Sequence, residues 1–161
     1  RATTSYRAAH PTYWDYISKA RLPKDEDYES WAKGRPEISV KISLRGLDPK
    51  TIRYDDKGWA GNAYKTLNSE IVRWDPSVLG PYATYYWYEE DGGGEKEITI
   101  SIPGGSINGV SFPTVSTKFK IEKDDDYIGT SYVDYFASSA ETRYDPTGED
   151  KFNFWILVKN K

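Results

Sequence analysis

The chain contains no cysteine and no methionine, and one histidine among 161 residues. Without thiols it has no disulfide, thiolate metal site or cysteine nucleophile, and cysteine usage says nothing about redox compartment. Metal chemistry based on hard oxygen ligands stays open, because it draws on carboxylates and carbonyls. Without an initiator methionine the sequence reads as a processed product or a segment cut from a larger chain, and we expect the segment. No apolar run approaches the roughly 18–20 residues of a membrane-spanning helix. Positive charge is also short: 22 Lys and Arg stand against 25 Asp and Glu, a formal net charge of −3. Neutralising phosphates requires a basic surface, so nucleic acid is not an expected partner.

Aromatics are abundant, with 14 Tyr, 6 Trp and 5 Phe in a chain that is only 37% hydrophobic. Each ring buries a large apolar area, so the expected core is aromatic. From residue 37 onward, alternation with a period of two dominates, which points successive side chains to opposite faces of a strand. Ile38, Val40, Ile42 and Leu44 alternate with polar residues, as do Ile98, Ile100 and Ile102, and then Val115, Thr117, Phe119 and Ile121. Residues 82–89 are β-forming by composition. Segments 70–74 and 131–136 are weaker candidates. The final segment, with Phe152, Phe154, Ile156 and Val158, is apolar on nearly both sides and reads as a central strand. Turn-forming stretches at 46–61, 75–81, 92–94, 103–109 and 145–150 separate these runs. The expected fold is all-β, a two-sheet antiparallel β-sandwich of about seven or eight strands.

The first 36 residues differ. Tyr13, Trp14, Tyr16 and Ile17 have loose helical spacing, so residues 1–36 are expected to form an N-terminal extension with one short helix, and residues 37–161 the sandwich domain.

Two acidic clusters end predicted strands: Glu89-Glu90-Asp91 before three glycines, and Asp124-Asp125-Asp126 before Tyr127. Carboxylates in flexible loops suit Ca²⁺, which takes six to eight oxygen ligands. Three consecutive aspartates also repel one another unless a cation, a nearby lysine or water screens them. The alternative is a pair of solvated turns, since Asp and Gly are common turn residues. The candidate metal ligands are Asp91, Asp124, Asp125 and Asp126, followed by Glu89, Glu90, Asp55 and Asp56. Asp48, with Asp55 and Asp56, forms a third acidic loop that could share the same end. One site requires Asp91 and Asp125 to meet. Calcium at weak-module concentrations is found outside cells, so a calcium role implies an extracellular or secreted setting.

The stretch Asp124-Asp125-Asp126-Tyr127-Ile128-Gly129 resembles the D-D-x-I-G ending of the third calcium loop of C2 domains, and Tyr88-Glu89-Glu90-Asp91 resembles the acidic strand end before it. Arg45-Gly46-Leu47 is similar to the turn after the first C2 strand. Thr66-Leu67-Asn68 is similar to that family's T-L-N-P stretch, although Ser69 stands where the proline would be. The resemblance covers about residues 37–136. It implies a calcium-binding sandwich that meets a membrane surface or a protein partner.

Surplus aromatics suggest a second reading, a lectin-like face for a glycan. Tyr82, Tyr86 and Tyr88 share one face of their strand, and Trp59 sits in a glycine-rich loop; the alternative is core packing. Catalysis is not expected. His10 precedes Pro11 in a polar stretch that suits a solvated or capping role, and no G-x-S-x-G elbow is present. Pairs of carboxylates that would suit glycoside hydrolysis arise by chance in so acidic a chain. The expected role is a non-catalytic binding module, or a structural and assembly domain of a larger protein.

Overall fold

Alternating apolar residues place Ile38, Val40 and Ile42 of β2 (Ile38–Ser43) at 0–2% exposure on one face. The computed structural model describes residues 13–22, 37–54, 64–137, 141–148 and 152–160. Besides β2, the longer strands are β1 (Tyr13–Arg21), β3 (Lys50–Tyr54), β4 (Lys65–Arg73), β5 (Tyr82–Glu89), β6 (Glu95–Ile102), β9 (Val115–Glu122), β10 (Asp126–Asp134), β11 (Glu141–Tyr144) and β12 (Asn153–Asn160). Two short strands, β7 (Gly105–Ile107) and β8 (Val110–Phe112), and one helical turn, α1 (Pro76–Leu79), complete the set. Every strand pairing is antiparallel.

The strands form two four-stranded sheets, ordered β11-β12-β1-β4 and β10-β5-β2-β3. Their inner side chains belong to one apolar cluster that includes Ile17, Phe154 and Ile156 of the first sheet, Phe152 just before β12, and Val40, Tyr85 and Trp87 of the second. Ring contacts cross between the sheets: Tyr85 stacks on Phe154 at 5.5 Å, and Trp87 meets Phe154 at 5.0 Å. Burying one such side chain stabilises by roughly 1.5–3 kcal/mol. Strand propensities span only about 1 kcal/mol, so shared burial holds the sheets together. As its pattern suggests, β12 is internal, bonded to both β11 and β1.

The second sheet is also covered on its outer side. β6 and β9 form a separate two-stranded hairpin, tipped by the small β7-β8 hairpin. Asn108 and Gly109, at φ 49° and 79°, make the two-residue turn at that tip, as an Asn-Gly pair with two positive φ angles is suited to do. Phe119 and Ile121, with Ile98 and Ile100, pack on Tyr86 and Tyr88 of β5 in a second apolar cluster. The hairpin's other face is polar, with exposed pairs such as Lys120 to Glu95 at 3.1 Å.

Several sequence expectations need correction. Residues 13–21 are not a helix but β1, bonded to β12 on one edge and β4 on the other. A register shift between Ile17 and Lys19 breaks the alternation, so Ile17 and Ala20, three apart, are both buried. An inserted bulge residue does this by resetting which face follows. The described residues hold twelve strands, eight of them in the two four-stranded sheets and four in the two added hairpins. The stretch 46–61, read as turn, contains β3, and 103–109 contains β7. The weak candidates at 70–74 and 131–136 fall largely within β4 and β10. His10 lies outside the described residues.

Candidate functional site

The two acidic clusters meet. β5 and β10 are antiparallel neighbours whose register sets Asp126, the first residue of β10, opposite Glu89, the last of β5. Period two then divides the run Glu89-Glu90. Glu89 shares the parity of Tyr85 and Trp87, on the core side, and is fully buried. Glu90 takes the other side, where its carboxylate accepts from Arg53 Nε at 3.0 Å. Carboxylate oxygens of Glu89, Asp91 and Asp126 lie within 4.8 Å of one another. Oxygens so spaced suit a single Ca²⁺, which sits about 2.3–2.6 Å from each ligand. The Glu37 N–H also donates to Glu89 Oε1, at 3.5 Å.

Asp125 has a different position. Its Oδ1 accepts the backbone N–H groups of Asp91 at 2.8 Å and Gly92 at 3.2 Å, and its Oδ2 accepts that of Glu122 at 2.8 Å. One side chain thus ties the loop after β5 to the loop before β10, and in this arrangement its oxygens face amide protons rather than the carboxylate trio. Asp124 is exposed beside Gly93, where an added Cβ would come within 2.8 Å of Asp124 Oδ2. Gly92 and Gly93, at φ 91° and 101°, give the loop the positive φ that this close return requires. Asp48 is at the far end: Ile42 pairs with Lys50, whereas it is Ile38 that pairs with Glu89. A common end for all three acidic loops is therefore overturned for Asp48. Asp55, Asp56 and Trp59 lie outside the described residues.

The aromatic row does not form an open face. Tyr86 and Tyr88 are 8% and 2% exposed beneath the β6-β9 hairpin, which corrects their reading as a glycan platform. Tyr82 is half-buried beside a separate cleft with Asp134 and Phe136. The exposed tyrosines of the region are Tyr127 and Tyr132 on β10.

Beside the carboxylates, a polar cleft of about 240 Å³ lies between β2, β3 and the hairpin, lined by Lys41, Arg53, Tyr88, Glu90 and Lys120 among others. Burial pushes the Glu90 carboxyl up, although the Arg53 guanidinium opposes the shift. Burial, then Arg53, pulls the Lys41 ammonium down. Burial pushes the Tyr88 phenol up to about 12, with Glu90 adding to the shift. Lys120 stands close to the aspartate run in sequence and reads as a screen for it, but Lys41 and Arg53 sit on two other strands, and only the sheet register and the hairpin's docking bring the three together.

No protein-family model and no curated protein matches the chain. Among solved structures it is similar to one described as "CC2D1B coordinates ESRCT-III activity during the mitotic reformation of the nuclear envelope", with a TM-score of 0.40 and 9% identity. The match covers 99% of this chain and 60% of that one. At that TM-score the likeness decides nothing about fold or function.

Proposed function

We propose that the chain is a non-catalytic binding module, a two-sheet β-sandwich that holds a calcium ion between Glu89, Asp91 and Asp126. The supporting observation is a fully buried carboxylate, Glu89, grouped with two others within 4.8 Å. Carboxylates this close repel one another, and a bound cation offsets that repulsion. Three carboxylates supply part of the oxygen shell of Ca²⁺, with water and carbonyl groups for the remainder. Such a partly built site fits the weak range of extracellular modules, about 10⁻⁴–10⁻³ M, and with it an extracellular location.

The C2 likeness enters the proposal at one place. Asp126 stands in its Asp-Tyr-Ile-Gly stretch and supplies a ligand, whereas the Arg45-Gly46-Leu47 turn takes no part because it lies at the other end of β2. A bound ion makes the carboxylate end less negative, so that it can meet an anionic lipid surface or an acidic partner in the larger chain's setting.

Thermal unfolding in millimolar calcium and in chelator tests this reading. A ligand binding only the folded state stabilises by about 2.7 kcal/mol at a hundredfold excess over Kd. The melting temperature is expected to rise with calcium, and Asp126→Asn to lose that rise while melting near the wild type in chelator. A wild-type melt unmoved by calcium sinks the proposal. Calcium-dependent pelleting with phosphatidylserine vesicles then separates a lipid partner from a protein one.

A further inference from the structure

The two four-stranded sheets have edge strands β3 and β4 on the same side, and Lys50 links them: its Nζ donates to the carbonyls of Glu70 at 3.0 Å and Ile71 at 3.3 Å. Beside this link, at the end of the sheets remote from Glu89, a cavity of about 260 Å³ opens at the core margin. Its walls are Ile42, Leu44, Ile71 and Val72, the first three at 2%, 5% and 6% exposure. Leu47 overhangs it, 47% exposed, in a turn closed by its own N–H to the Leu44 carbonyl at 3.1 Å. Lys50 and Asp48 stand at the mouth.

We propose that this cavity binds a monomeric aliphatic amphiphile with an anionic head, its chain against Ile42, Leu44 and Ile71 beneath Leu47 and its head on the Lys50 ammonium. The lining selects the tail. Aliphatic walls offer no set of converging donors and acceptors to read a sugar or nucleotide, and an apolar chain placed there leaves water at a gain proportional to its buried area. The volume selects a single chain, being below the roughly 300–1,000 Å³ of drug-sized sites. Lys50 selects the head. An ammonium has three donors; two go to the β4 carbonyls, its partners among the described residues, and the third remains for a ligand. Asp48, exposed at the same mouth, opposes an anion, so its charge sets an upper limit on affinity. The site is separate from the carboxylate end and independent of calcium.

Octanoate, with octanol as its uncharged counterpart, tests the proposal by isothermal titration on the full chain. Octanoate is expected to saturate one site equally in calcium and in chelator. Lys50→Gln should weaken octanoate about tenfold, the loss of one charged hydrogen bond, and leave octanol within about twofold. Asp48→Asn should tighten octanoate, and Leu47→Ser, at an exposed position that the fold does not need, should weaken both. Absence of saturable octanoate binding to the wild type overturns the proposal, as does unchanged binding by Leu47→Ser. Pelleting with phosphatidylglycerol vesicles that Leu47→Ser abolishes, without octanoate saturation, assigns the cavity to a bilayer and also overturns the free-amphiphile reading.

Discussion

Asp126 faces Glu89 directly across the β5-β10 ladder, the opening residue of one strand against the closing residue of the other. Paired positions on adjacent antiparallel strands bring side chains close, so the ladder itself forces two acids together. Any loss of that register disperses the group.

Glu89→Gln keeps the side chain's shape and removes its charge. In chelator the variant is expected to be more stable than the wild type, by on the order of 1 kcal/mol, because a buried like-charge contact is relieved. In millimolar calcium its advantage should vanish or reverse. Urea denaturation in both conditions reads the change of sign, and equal effects in the two media would contradict the carboxylate-trio account.

Asp125→Ala removes the acceptor for three backbone N–H groups. Hydrogen bonds to charged groups contribute about 1.5–3 kcal/mol each, and the exposed loop lets water recover part of this; a net loss of about 2–4 kcal/mol is expected. Asp125→Asn keeps one carbonyl oxygen and should recover part of the loss. Chemical denaturation of both variants orders them, and an alanine variant as stable as the wild type would contradict the clamp.

Phe119→Ala empties the centre of the small cluster that docks the hairpin. Amide exchange in residues 95–122 should accelerate, whereas β12 amides, held by the shared core, should keep their protection. Local opening of this kind is read residue by residue in native-state exchange. Uniform acceleration through both sheets would show instead that the hairpin is integral to the main cooperative unit.

Tyr54 gives a pH dependence of definite sign. Burial raises its phenol from 10.0 to about 12, and its ring is 3% exposed. Between those values the unfolded chain releases this proton while the folded chain retains it, so stability falls as pH rises from about 10 to about 12. Tyr54→Phe should flatten that fall, on top of a pH-independent cost from the lost hydroxyl contact with Ser69. Urea midpoints measured from pH 8 to 12 decide, and parallel curves for both proteins would show that another group dominates.

The strands with clean alternation were legible because one face meets the core and the other meets water or polar neighbours, as in β9. β1 was not, since its bulge between Ile17 and Lys19 spaces two buried residues like neighbours on a helix. β5 was legible as a strand, but the fate of its outer tyrosines was not. Tyr86 and Tyr88 are covered by residues near 119–121, and nothing local in 82–89 records the hairpin's return. The acidic residues announced themselves by composition; their roles came from parity and register. Glu89 and Glu90 are adjacent yet serve opposite faces, and Asp125, central in its run, is occupied by backbone amides.

The β6-β9 hairpin also covers a segment whose composition favours intermolecular sheets. Residues 83–88 of β5, Ala-Thr-Tyr-Tyr-Trp-Tyr, are uncharged and rich in β-forming aromatics, the composition from which intermolecular sheets grow. In the fold both backbone edges of β5 are occupied by β2 and β10, the shared core covers one face, and the hairpin covers the other. Lifting the hairpin would bare the Tyr86 and Tyr88 rings without unfolding either large sheet. The hairpin is therefore a guard on the chain's stickiest segment, and conditions that loosen it invite aggregation before they melt the core.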